Sequence, residues 1–213
     1  MGALPLTIHP APSAERRRLV ARARLLAWVG LGWHVIEAAV AIVAGIAAGS
    51  IALIGFGADS LIEAAAGIVV IWLMADARSA SPRAERRAQQ LIAASFVVLA
   101  VYVGAEAVRD LVAGHHPQGS WAGIALAVVT LATMPPLAIA KARVGRALGS
   151  SATASESRQT MLCAYLSAAL LVGLLANALA GWWWADPSVA LLIAAVALTE
   201  ARDAWQGESC SCC

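Results

Sequence analysis

Six runs of about 20 or more predominantly apolar residues, each long enough to cross a bilayer, constrain this chain more than any other feature. They lie near 24–48, 51–75, 90–113, 120–141, 154–180 and 186–204. A run of that length satisfies its backbone polar groups inside lipid by forming a helix. The expected fold class is therefore all-α: a polytopic membrane protein with six transmembrane helices. The 61% apolar content of the 213 residues excludes an ordinary soluble domain. Residues 1–23 read as a cytoplasmic N-terminal segment, 24–204 as the transmembrane domain and 205–213 as a Cys-rich cytoplasmic tail. The first 13 residues carry three prolines and no apolar stretch of the kind a secretory signal needs, so the first span is expected to act as its own insertion signal.

Charge sets the orientation. Arg16, Arg17, Arg18, Arg22 and Arg24 precede span 1, and Arg78, Arg83, Arg86 and Arg87 lie between spans 2 and 3. Lys141, Arg143, Arg146 and Arg158 fall between spans 4 and 5 or at their inner ends, and Arg202 closes span 6. If the spans alternate, all of these share one side, while Gly49-Ser50, 114–119 and 181–184 carry no Lys or Arg. The positive-inside rule then places both termini in the cytoplasm. Trp121 and Trp182-Trp183-Trp184 mark the outer interface, where indole rings settle. These cations serve topology, and nothing in the pattern calls for nucleic acid. Gly49-Ser50 alone joins spans 1 and 2, which makes them a tight helical hairpin. Residues 149–157 read as a short cytoplasmic loop, and Pro135-Pro136 as a kink in span 4.

Within this apolar frame stand a few polar groups. Asp59 and Glu63 are the only charges between Ile51 and Met74. A carboxylate at the bilayer centre costs roughly 2.5–3.5 kcal/mol on insertion scales. Four residues apart, the two share a helical face about 6 Å apart. Glu63 falls about 18 Å from the outer end of its helix, just past mid-membrane. Such a pair suits a cation, and hard or borderline metal ions favour it. The other reading is two protonated carboxyls bonded to neighbouring helices. His34 and Glu37, one turn apart in span 1, either complete a site, relay protons or satisfy each other. Glu106 and Arg109 read as a local ion pair near the outer surface. Asn177 and Ser167 read as interhelical hydrogen-bonders. Gln159 and Cys163 stand at i and i+4 in span 5, and taken alone a membrane Cys is a small hydrophobe. Cys163, Cys210, Cys212 and Cys213 do not form a disulfide framework.

Three stretches carry a family resemblance. One is Gly49-Ser50-Ile51-Ala52-Leu53 followed by Ala58-Asp59-Ser60-Leu61-Ile62-Glu63. Another is Glu156-Ser157-Arg158-Gln159-Thr160-Met161-Leu162-Cys163, and the third is Gly181-Trp182-Trp183-Trp184-Ala185-Asp186-Pro187. In this order they resemble the membrane part of the cation diffusion facilitator (cation efflux) family, over roughly residues 24–204. The resemblance implies a tetrahedral divalent-metal site between helices 2 and 5, with metal exchanged for protons. Carried over residue by residue, the ligands would be Asp59 and Glu63, with Gln159 and Cys163 where the family usually has His and Asp. His34 and Glu37 are secondary candidates. Thiolate is a soft ligand and the amide a weak one, so Cd²⁺ competes with Zn²⁺ for such a set. A counterpart of the family's usual cytoplasmic C-terminal domain is not expected from these residues. The sequence ends at Cys210-Ser211-Cys212-Cys213, which reads either as a soft-cation collector or as a tail with incidental thiols.

The expected function is divalent metal transport: zinc efflux from the cytoplasm by proton antiport with alternating access, with no cofactor beyond the transported ion. The alternative is a membrane metal-binding or metal-sensing protein that does not transport. An enzyme is not expected, because no nucleophile–base pair or substrate motif appears. The resemblance implies a homodimer as assembly. An Arg-rich, Lys-poor composition points to a high-GC bacterium and its inner membrane.

Overall fold

A computed structural model describes residues 14–75, 82–148 and 151–206. The described residues form six helices and no strand: α1 Ala14–Ala48, α2 Ile51–Ala75, α3 Pro82–Ala113, α4 Trp121–Leu148, α5 Ser151–Ala180 and α6 Ala185–Gln206. Five are long and apolar enough to cross a membrane by length and composition. In α6 the charges sit at the ends, Asp186 at one and Glu200, Arg202 and Asp203 at the other, around the uncharged centre 187–199. The lone cysteine among the described residues, Cys163, is reduced and buried.

The helices run past the apolar segments. α1 begins ten residues before its span, because the Arg-, Ala- and Leu-rich stretch after Ala14 favours helix in water as well. Residues 151–157, expected as loop, are the first two turns of α5. Ser and Ala accept a helical backbone when Thr153, Glu156 and Ser157 find buried partners there.

The three loops without Lys or Arg meet at one end. Gln118 N donates to Ala48 O at 2.8 Å, Asn177 Nδ2 donates to Pro117 O at 2.9 Å, and the His116 and Trp183 rings lie 5.1 Å apart. The six helices therefore alternate in direction. The start of α1 and the end of α6 both lie at the opposite, arginine-bearing end, as the charge pattern requires.

The α1–α2 hairpin closes at Gly49, whose φ of 64° suits a residue without Cβ. Ser50 caps α2: its Oγ accepts from Leu53 N at 3.1 Å and donates to Asp186 Oδ1, while Asp186 Oδ2 accepts from Ala52 N at 3.3 Å. The acid of the Ala185-Asp186-Pro187 motif thus pins the start of α6 to the start of α2. Asp186→Ala leaves this helix start short of acceptors and is expected to cost about 1–2 kcal/mol. A lowered thermal midpoint in detergent micelles, with helix content retained at low temperature, is the expected readout.

Four helices close a ring in the order α1–α2–α5–α4, and α3 pairs with α6 alongside α2 and α5. The α1–α2 seam is close, as a Cβ on Gly57 would lie 2.7 Å from Ile42 Cγ1 and 3.1 Å from Ala38 O. Leu53, Phe56, Leu170 and Leu174 fill the outer half of the ring. Large apolar side chains such as Ile46, Val98, Val112 and Val172 face outward, as a lipid-facing surface requires.

Candidate metal centre

Each helix of the ring sends polar groups to one buried point. α1 supplies His34 and Glu37, which share a face at i and i+3. α2 supplies Ser60 and Glu63, α4 supplies Thr130, and α5 supplies Cys163. All are buried, with Glu37 and Cys163 at 0% exposure.

Glu37 is the hub. Its Oε2 accepts from Ser60 Oγ at 3.0 Å and lies 3.2 Å from His34 Nδ1 and 3.6 Å from Cys163 Sγ. Its Oε1 accepts from Thr130 Oγ1. A carboxylate met by side chains from four helices fixes its neighbours in place. Glu63 is placed differently. His34 Nδ1 stands between the two acids, 3.2 Å from Glu37 Oε2 and 3.1 Å from Glu63 Oε2, and the latter oxygen is buried with no well-aligned donor. The Cys163 thiol also reaches the Glu63 carboxylate.

His34, Glu63 and Cys163 each offer a ligand atom, and these three atoms lie within 4.8 Å of one another. A tetrahedral zinc centre with bonds of about 2.0–2.3 Å separates its ligands by about 3.3–3.8 Å, so a contraction of about 1 Å suffices. Imidazole, carboxylate and thiolate are all zinc ligands, and three of them leave a fourth position open. An acceptor oxygen buried without a donor is the vacancy in the hydrogen-bond pattern that a cation would fill.

The sequence-derived ligands divide into two groups. Glu63 and Cys163 stand in this cluster together with the secondary candidates His34 and Glu37. Asp59 is buried one turn nearer the outer end and lies outside the three, within electrostatic reach of Glu63 and Cys163 as well as of Glu37 and Glu200 of α6. Gln159 hydrogen-bonds Glu200. The pair Glu106–Arg109 forms as expected, with Arg109 Nη1 3.0 Å from both carboxylate oxygens. Ser167 departs from expectation: its hydroxyl bonds Cys163 O within α5 rather than a neighbouring helix. Cys210, Cys212 and Cys213 lie outside the described residues.

Sequence reasoning missed two features. Ser60 and Thr130 hold Glu37, and the only trace of them in sequence is one polar residue each within an apolar run. Lys141, counted among the topology cations, is 1% exposed and paired with Glu156 at 2.7 Å. The available signal was the spacing Glu156, Thr160, Cys163, a polar stripe of 3–4-residue period on α5.

Residues 27–204 match the cation efflux transmembrane domain. The chain belongs to the cation efflux family. An uncharacterized transporter of Synechocystis sp. is similar at 29% identity over 151 residues, a match covering 67% of this chain and 49% of the relative. The chain thus spans about half the length of that curated relative.

Proposed function

We propose that this cation efflux protein carries a divalent metal cation, zinc first among candidates, out of the cytoplasm in exchange for protons. The observation that supports this most is the buried cluster of His34, Glu63 and Cys163, whose ligand atoms lie within 4.8 Å of one another. Intramembrane acids mark ion paths by default. A cation arriving there takes Glu63, His34 and Cys163 as ligands, and Glu37 holds His34 in place. Asp59, one turn toward the outer end, is the acid the cation meets on its way out, and Gln159 stands toward α6 with Glu200. Binding needs neutral imidazole, carboxylate and thiolate, so metal entry expels protons and proton return expels metal.

The sign of the pH dependence follows. Zinc affinity of the purified protein is expected to rise with pH, and zinc binding in weakly buffered detergent solution is expected to release protons. Titration calorimetry in two buffers of different ionisation enthalpy measures that release. Binding without proton release would remove the exchange step from this reading. Asp59→Ala is expected to slow flux while leaving zinc binding at the cluster measurable, and an unaltered rate would take Asp59 off the path.

A further inference from the structure

Lys141 is the chain's single lysine among 15 basic residues, and it is buried. Its ammonium donates to Glu156 Oε1 at 2.7 Å and to Thr160 Oγ1 at 3.1 Å, both on α5. It also presses on α1, where a Cβ added at Gly30 would stand 2.7 Å from Nζ. The ammonium therefore sits where α1, α4 and α5 converge. Glu156 precedes Cys163 by seven residues on α5, which places the pair about 10 Å from Cys163 toward the arginine-bearing end.

The two halves of the ring differ in chemistry. On the outer side of the centre, Leu53, Phe56, Leu170 and Leu174 pack into an apolar fill. On the inner side, α5 buries a polar seam: Thr153, Glu156, Ser157, Thr160 and then Cys163. These share one helical face, and the seam runs from the cytoplasmic end to the metal centre. On the inner side of the centre, its side chains could replace the water around a cation.

A buried ion pair is a poor device for stability alone. Desolvating two charges offsets most of their attraction, and apolar residues of similar volume often hold helices as well. The Ser157 hydroxyl already ties α5 to Ala138 O of α4 at 3.0 Å. Buried pairs are best attested as switches and register devices. Lys suits the part, since its ammonium is a compact point charge on a flexible stem.

We infer that Lys141 is a tethered plug on the cytoplasmic approach to the metal centre. Its ammonium holds, at Glu156, the place a passing cation must take, and the seam opens when the ammonium withdraws. This rests on the reading that the cation comes from the cytoplasm, but its test needs no metal flux and so fails or succeeds separately.

Cys163 is the natural reporter. The full chain is placed in inverted and right-side-out membrane vesicles and treated with a charged, membrane-impermeant thiol reagent. Peptide mass spectrometry then follows modification of Cys163 apart from the tail cysteines. Lys141→Ala and Glu156→Gln are each expected to speed labelling of Cys163 at least tenfold from the cytoplasmic face and not from the outer face. The exchange Lys141→Glu with Glu156→Lys is expected to restore protection. Unchanged labelling in both single variants would overturn the plug, and so would an equal rise from both faces, which marks a strut whose loss loosens the bundle. If a single variant fails to insert, Glu156→Asp keeps both charges but withdraws the carboxylate by one methylene. The same one-sided rise is expected there, and its absence counts against the plug.

Discussion

Glu63→Ala is expected to lower zinc flux at least about 100-fold while the protein inserts at normal levels. Removing groups that merely orient a metal ligand typically costs about 10–100-fold in affinity or activity, and Glu63 is placed as a ligand itself. It is also the least satisfied group of the cluster, with Oε2 buried and unbonded. The substitution should cost less stability than loss of Glu37, since Glu63 has His34 and Cys163 as its polar neighbours and one oxygen without a well-aligned donor. Glu37→Ala makes the contrasting case. Glu37 accepts hydrogen bonds from Ser60 and Thr130 and orders His34, so its loss orphans several donors and should lower thermal stability together with flux. Flux measured beside thermal midpoints separates the two acids. Equal stability loss in both would mean that Glu63 serves packing rather than the ion.

Cys163→Ser is expected to change which metal moves. Thiolate favours soft ions, and a hydroxyl at the same place does not. Cadmium flux should fall about tenfold or more relative to zinc flux, a shift of about 1.4 kcal/mol in relative preference. The hydroxyl fits the space the thiol leaves and can still donate toward Glu37 and Glu63, so the bundle should persist. Competition between cadmium and zinc in one vesicle preparation reads the ratio directly. An unchanged ratio would place Cys163 beside the path and leave His34 and Glu63 as the selective groups.

The sequence makes the helices, their order and their orientation legible, because apolar length and arginine placement respond to the bilayer itself. It also carries local pairs such as Glu106–Arg109 and His34–Glu37, whose spacing of three residues fixes contact within one helix. What it does not carry is the rotation of each helix against the others. Asp59 and Glu63 are read as one pair, yet positions four apart differ by about 40° around the axis. That offset leaves Asp59 outside the close cluster of His34, Glu63 and Cys163, while the two acids stay within electrostatic reach of each other. The same applies to Gln159, which follows Cys163's face closely enough to suggest a shared site and bonds Glu200 instead. Lys141 was hidden for a different reason. A lysine at the inner end of a span reads as an interfacial anchor, and only the approach of α1 at Gly30 and α5 at Glu156 buries it.

The central claim is that the cluster of His34, Glu63 and Cys163 passes a divalent metal across the bilayer in exchange for protons. Reconstituted liposomes carrying a zinc-sensitive dye and a pH-sensitive dye test it most directly, with wild type beside Glu63→Ala. Zinc movement with opposite proton movement is expected in the wild type, and neither in the variant. Wild-type protein that is well inserted yet moves no zinc, cadmium or manganese would contradict transport and favour a metal-binding or sensing role. Zinc flux that persists in Glu63→Ala would contradict the site.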